Sequence, residues 1–107
     1  GKIREPDVMF YSEAHRDRLG GTVSGIPDMV AEVVSPGSRQ ADRRDKFHEY
    51  ALAGIGEYWL VEPEQTTVEV FVLVDGVYEL VVKAGAGQVA QSRLLAGFEV
   101  EVTAVFA

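Results

Sequence analysis

The segment Asp28-Met29-Val30-Ala31-Glu32-Val33-Val34 constrains this chain more than any other. Ile26-Pro27 introduces it and Ser35-Pro36-Gly37 stops it. It is nearly all apolar, where a half-exposed strand would alternate, so it reads as a central strand covered on both faces. The two acids inside it are the anomaly. Side chains alternate along a strand, so Asp28, Val30, Glu32 and Val34 share one face and Met29, Ala31 and Val33 the other. Two carboxylates on one face of an apolar strand are costly to bury unless a metal or hydrogen-bond donors neutralise them.

The rest of the chain supplies the layers such a strand requires. Val8–Tyr11 reads as a strand after Pro6-Asp7, and residues 12–25 read as a polar, Gly-rich loop. Ser38 to Ala53 reads as a helix, with Ser38 or Asp42 able to cap it and Gly54 where a C-terminal glycine belongs. Phe47, Tyr50 and Ala51 form its apolar stripe. Glu57–Val61 is a third strand, closed by Glu62-Pro63-Glu64. Thr67–Val74 and Val77–Lys83 flank Asp75-Gly76, the strongest short-range hairpin signal. Ala84–Gln91 reads as a Gly-rich loop, and Phe98–Val102 as a last short strand with a helical turn after it. The expected architecture is α/β (α+β): a mixed sheet, one helix on a face, and a C-terminal β-hairpin that extends it.

At 107 residues the chain is the size of one domain and can bury about two-thirds of the surface its unfolded form exposes. With no cysteine, a disulfide framework, a thiolate zinc site and a thiol nucleophile are excluded, and a reducing cytoplasm is the expected compartment. No run approaches the roughly 20 apolar residues of a membrane span. Gly1-Lys2-Ile3-Arg4 reads like the interior of a longer protein, so truncation at the N-terminus is expected. The 17 acids against 10 bases, a net charge of −7, oppose a large nucleic-acid footprint. Acids gathered around bound cations would invert that local charge.

Asp7 adds a third acid at the head of an earlier strand that could pair beside the strand of Asp28 and Glu32. Acids from adjacent strands can bind magnesium while it keeps several waters, and such an ion can activate a water against a phosphodiester. Lys46 is the candidate ammonium. It lies within about 40–60° of Tyr50 and Ala53 around the helix, at the edge of the stripe that faces the sheet. A lysine stem can run along apolar surface and deliver its charge beyond it.

Three blocks, Arg4–Val8, Pro27–Pro36 and Lys46-Phe47 through Glu57-Tyr58-Trp59-Leu60-Val61, stand in order at compatible spacing. Together they resemble the Uma-type restriction endonucleases of the PD-(D/E)XK nuclease superfamily, from about Arg4 to Phe98. The resemblance implies a restriction-endonuclease-like fold and magnesium- or manganese-dependent hydrolysis of DNA. It makes Asp7 the first acid and Glu32 the acid of the acid-x-Lys triplet, with Asp28 as an additional metal ligand. Val34 occupies the triplet's lysine position, and the resemblance implies that Lys46 on the following helix takes its place. The resemblance also implies an upstream segment, with a helix bearing an acid near the site, which is expected to lie outside this sequence.

Simpler roles stand beside these. Asp7 and Asp28 each follow a proline, where short acids cap or turn the backbone. His15 and His48 read as surface, and Arg39, Arg43 and Arg44, interleaved with Asp42 and Asp45, as a solvated helix face. Trp59 and Tyr58 read as core and sheet surface, and Ser35 has no adjacent base. Two other function classes stay open: a non-catalytic binding or assembly module on the nuclease fold, and a hydrolase of another phosphoester. A sheet edge left open could also promote a homodimer.

Overall fold

The computed structural model describes residues 8–10, 27–34 and 40–106. Five strands, β1 (Val8–Phe10), β2 (Met29–Val33), β3 (Glu57–Glu62), β4 (Thr67–Val74) and β5 (Val77–Ala84), form one sheet in sequential order. β2 and β3 are parallel, joined by a crossover that contains helix α1 (Gln40–Leu52). The other pairings are antiparallel, so the sheet is mixed, as expected. β2 lies between β1 and β3, which gives both of its edges a hydrogen-bonded neighbour.

Alternation along the strands sorts the side chains into two layers. Val30, Tyr58 and Leu60 pack with Tyr50 and Ile55 on the face that α1 covers, and Phe47, Phe71 and Tyr78 complete that layer. Met29, Trp59, Val68 and Val70 point to the other face. That second face is closed by a structure the loop reading of Ala84–Gln91 did not anticipate. Val89–Gln91 is a strand, β6, paired antiparallel with β7 (Glu99–Glu101) and followed by the short helix α2 (Val102–Val105). Ala90 and Val102 are fully buried against the main sheet, with Leu95, Phe98, Val100 and Phe106 around them. The three-residue strand is too short to show alternation in the sequence, and burial of Ala90 is what fixes it. The residues expected as a loop at 12–25 lie outside the described residues.

Local chemistry explains the boundaries. α1 ends in a Schellman motif: Ile55 N donates to Tyr50 O at 3.2 Å and Gly54 N to Ala51 O at 3.0 Å. Gly54 holds φ +81, which a residue without a Cβ adopts at least cost. Ile55 and Tyr50 then meet in the core, the hydrophobic contact that accompanies this motif. At the β4–β5 turn, Asp75 and Gly76 take φ 50 and 80, the two positive values a type I′ hairpin needs.

One buried acid fastens the C-terminal layer to the sheet. Glu57 is fully buried on the face opposite α1. Its Oε2 accepts from Trp59 Nε1 at 2.8 Å and Ser92 Oγ at 2.7 Å. Its Oε1 accepts from the backbone N–H groups of Arg93 at 2.8 Å and Leu94 at 3.1 Å. A carboxylate has about four lone-pair positions, so this one is saturated. Glu57→Ala leaves four donors without their acceptor and should destabilise the fold by about 3 kcal/mol or more in urea denaturation. A loss under about 1 kcal/mol would show that water replaces the carboxylate freely.

Candidate active site around Glu32

Glu32 sits one residue before the end of β2, 3% exposed, on the face that α1 covers. β2 delivers it there by alternation, with apolar Val30 and Val34 on either side of it along the same face. Two donors from α1 reach it. Tyr50 OH donates to Oε1 at 2.5 Å, and Lys46 Nζ donates to Oε2 at 3.2 Å, close enough to form an ion pair as well. Positions 46 and 50 are one helical turn apart, so a single flank of α1 presents both groups to one carboxylate. The lysine side chain is 30% exposed, so the ammonium links a buried acid to solvent.

The partners are unequal in character. Burial raises the Tyr50 phenol well above its ordinary value near 10; its hydrogen bond to Glu32 and the nearby carboxylate charge push the same way. Tyr50 is therefore a neutral donor that orients Glu32, not a base. Val34, two residues after Glu32, is apolar and donates its backbone N–H to Val61 O at 2.8 Å. The cation beside the strand acid is Lys46 on the helix. The two occupied positions leave Glu32 about two lone pairs for another partner.

The other sequence candidates are placed differently. Asp28 shares the face of Glu32 by parity but stands four residues back, at the head of β2. At strand rise that is roughly 13 Å of chain, too far for both carboxylates to enter one coordination shell. Alternation predicts a shared face; it does not predict convergence. Asp7 lies outside the described residues, as does His15. Its neighbour in sequence, Val8, pairs with Ala31, the residue before Glu32, so β1 begins beside the end of β2 that carries Glu32. Among the described residues, no group of three or more acids and histidines is arranged to hold a metal ion.

Glu62 was not singled out from the sequence. It lies two residues beyond Leu60, the β3 partner of Glu32, and so on the same face. Its Oε2 is buried with no hydrogen-bond partner among the described residues. The signal in the sequence was the acid-Pro pair that closes a buried strand, which also marks an ordinary strand end. His48 and Arg44 are exposed, while Tyr58 and Trp59 are buried in opposite layers. No helix among the described residues is long and apolar enough to cross a membrane.

The Tyr50 shift carries a sign. A phenol whose folded pKa is raised above its unfolded value contributes stability that is present below about pH 10 and lost as pH rises beyond it. Tyr78, raised by burial alone, adds in the same direction. Chemical denaturation across pH 8–11 should show stability falling above about pH 10, and Tyr50→Phe should make that fall shallower. An unchanged slope in Tyr50→Phe would mean that this phenol is not held neutral by the fold.

The geometry can be set beside known proteins. No curated protein matches the chain significantly. A crystal structure described as a putative nuclease belonging to DUF820, from Anabaena variabilis, shares the fold with a TM-score of 0.58 at 19% sequence identity. The match covers 78% of this chain and 46% of that one, so the present chain spans about half the length of that protein. Residues 1–103 match the Uma2 family, described as putative restriction endonucleases. The match takes in the strand that carries Glu32 and the helix that carries Lys46 and Tyr50, and this chain belongs to the Uma2 family.

Proposed function

We propose that this chain carries the catalytic core of a metal-dependent nuclease that hydrolyses DNA phosphodiesters, of the PD-(D/E)XK type. The observation that carries the reading is the Glu32 cluster: a buried strand acid with an ammonium at 3.2 Å and a phenol at 2.5 Å. The lysine is 30% exposed, so its ammonium stands where solvent or a substrate can also reach it. Family membership and the nuclease described for the structural neighbour favour the same chemistry.

The donor set suits a hard cation. Glu32 keeps free lone pairs, and the buried, unpartnered Oε2 of Glu62 on the same face is the kind of group a cation or bound water satisfies. In this proposal Glu32 and Asp7 hold magnesium or manganese, and Asp28 is left out of that shell by its distance along β2. The bound ion would supply Lewis-acid polarisation of the phosphodiester and a water of lowered pKa. Tyr50 fixes the orientation of Glu32 through a proton it does not release at neutral pH. Lys46 holds a positive charge at the mouth of the cluster, where it can offset the charge that grows at phosphorus or orient the attacking water.

A second reading, a non-catalytic module on the same fold, draws support from the net charge of −7 and from Val34 in place of a strand lysine. Cleavage separates the two. Supercoiled plasmid incubated with the protein and manganese or magnesium should be nicked, and chelation should stop it. Glu32→Ala and Lys46→Met should each slow nicking by about a hundredfold or more, the scale of removing one transition-state charge contact. Metal-dependent nicking that survives both substitutions would remove these residues from the mechanism. Folded protein that never nicks would favour the binding module.

A further inference from the structure

A second feature of α1 lies away from Glu32. A cavity of about 260 Å³ opens between the helix and the β4–β5 turn. The helix lines it with Arg44, Phe47, His48 and Ala51, and the hairpin with residues 76–78. Spacings of three and four put these helical positions on one flank. Lys46 is two residues, and so about 200°, from both Arg44 and His48. The cavity and the Glu32 cluster therefore flank the helix on opposite sides.

Its inner part is aromatic and rigid. The Phe47 ring lies 5.9 Å from the Tyr78 ring, centroid to centroid, at 51°. Phe47 also meets Tyr58 edge-on at 4.7 Å, and Tyr78 OH donates to Ile55 O at 2.7 Å, so neither ring is free to turn into the space. Small residues keep the space open: Ala51 on the helix, and Gly76, where an added Cβ would meet nothing within 4 Å. The rim is basic. Arg44 and His48 are exposed and line it, and neither makes an ion pair or side-chain hydrogen bond with another of the described residues. In a chain with 17 acids and 10 bases, two basic side chains one helical turn apart at the mouth of an aromatic cavity make a local positive patch.

A planar ring bearing an anion fits this combination: aromatic walls for the ring, and a guanidinium fork and an imidazole for the charge. The volume is at the small end of ligand sites, room for one base and not for a base pair. We propose that this cavity binds a single unpaired nucleotide, its base against Phe47 and Tyr78 and its phosphate on Arg44 and His48. The source of that nucleotide, the strand processed at Glu32, rests on the nuclease reading; the binding chemistry does not. A strand that reaches both places must pass α1, whose diameter with side chains is about 10 Å. A base-stacking subsite also lets an acidic protein hold nucleic acid through few phosphate contacts, with a correspondingly shallow salt dependence.

The test is a titration of isotope-labelled protein, followed by amide chemical shifts, in excess chelator so that metal chemistry plays no part. The probes are 2′-deoxyadenosine 5′-monophosphate, 2′-deoxyadenosine and inorganic phosphate. The nucleotide should shift amides in 44–51 and 76–78 saturably, and the nucleoside and phosphate should each bind about tenfold more weakly or worse. Arg44→Gln should weaken the nucleotide by about tenfold, towards the nucleoside. Ala51→Leu, which fills the cavity with a good helix former, should abolish binding while the remaining spectrum stays folded. Phosphate binding as tightly as the nucleotide, shifts centred elsewhere, Ala51→Leu binding like the parent, or no binding at all would each overturn the proposal. Any of these can occur while metal-dependent cleavage at Glu32 stands, and cleavage can fail while this site binds.

Discussion

A carboxylate buried on an apolar strand is the constraint around which this structure is arranged. Glu32 is 3% exposed, and an unpaired charge there would cost far more than a small domain can spare. Tyr50 and Lys46 offset that cost, and both come from α1. The crossover between two parallel strands is therefore fixed in rotation as well as position. A turn of the helix by one residue would carry both donors away from the acid. The aromatic layer of Phe47, Tyr58, Phe71 and Tyr78 then packs under the same helix orientation that the Glu32 contacts require.

The sheet buries a second acid on its opposite face, and the contrast between the two is informative. Glu57 takes four hydrogen bonds from neutral donors, two of them backbone N–H groups of the 93–94 turn. Nothing further can reach it, and its work is to hold the C-terminal layer against the sheet. Glu32 takes two, one from a cation that is itself about a third open to solvent. A saturated acid reads as architecture. Glu32 has spare lone pairs, a partly exposed ammonium beside it and the buried Oε2 of Glu62 on the same face, and these are the features the proposed function rests on.

Much of this was legible in the residues because it rests on short-range rules. Alternation put Glu32 on one face of β2, helical spacing put Lys46 beside Tyr50, and Asp75-Gly76 marked the hairpin whose positive φ angles the structure shows. The helix expected over Ser38–Ala53 is described over Gln40–Leu52, and Gly54 ends it as a glycine there should. What escaped depends on distance in sequence. The partners of Glu57 lie 35 to 37 residues away, apart from Trp59, and no local pattern announces them. β6 is a strand through its pairing with β7 and the burial of its own Ala90, inside a stretch whose glycines read as loop. Asp28 shows the limit of parity: alternation gives it the face of Glu32, and four residues of strand separate the two along it.

The central claim is that Glu32 holds a divalent cation that Lys46 and Tyr50 leave room for. Calorimetric titration of magnesium and of manganese into this chain and into Glu32→Ala tests it without any assumption about substrate. The account predicts saturable binding to the parent and its loss in Glu32→Ala, with both proteins folded. Equal binding by the two, or none by either, would contradict it and leave a nuclease fold whose buried acid serves only to seat the helix.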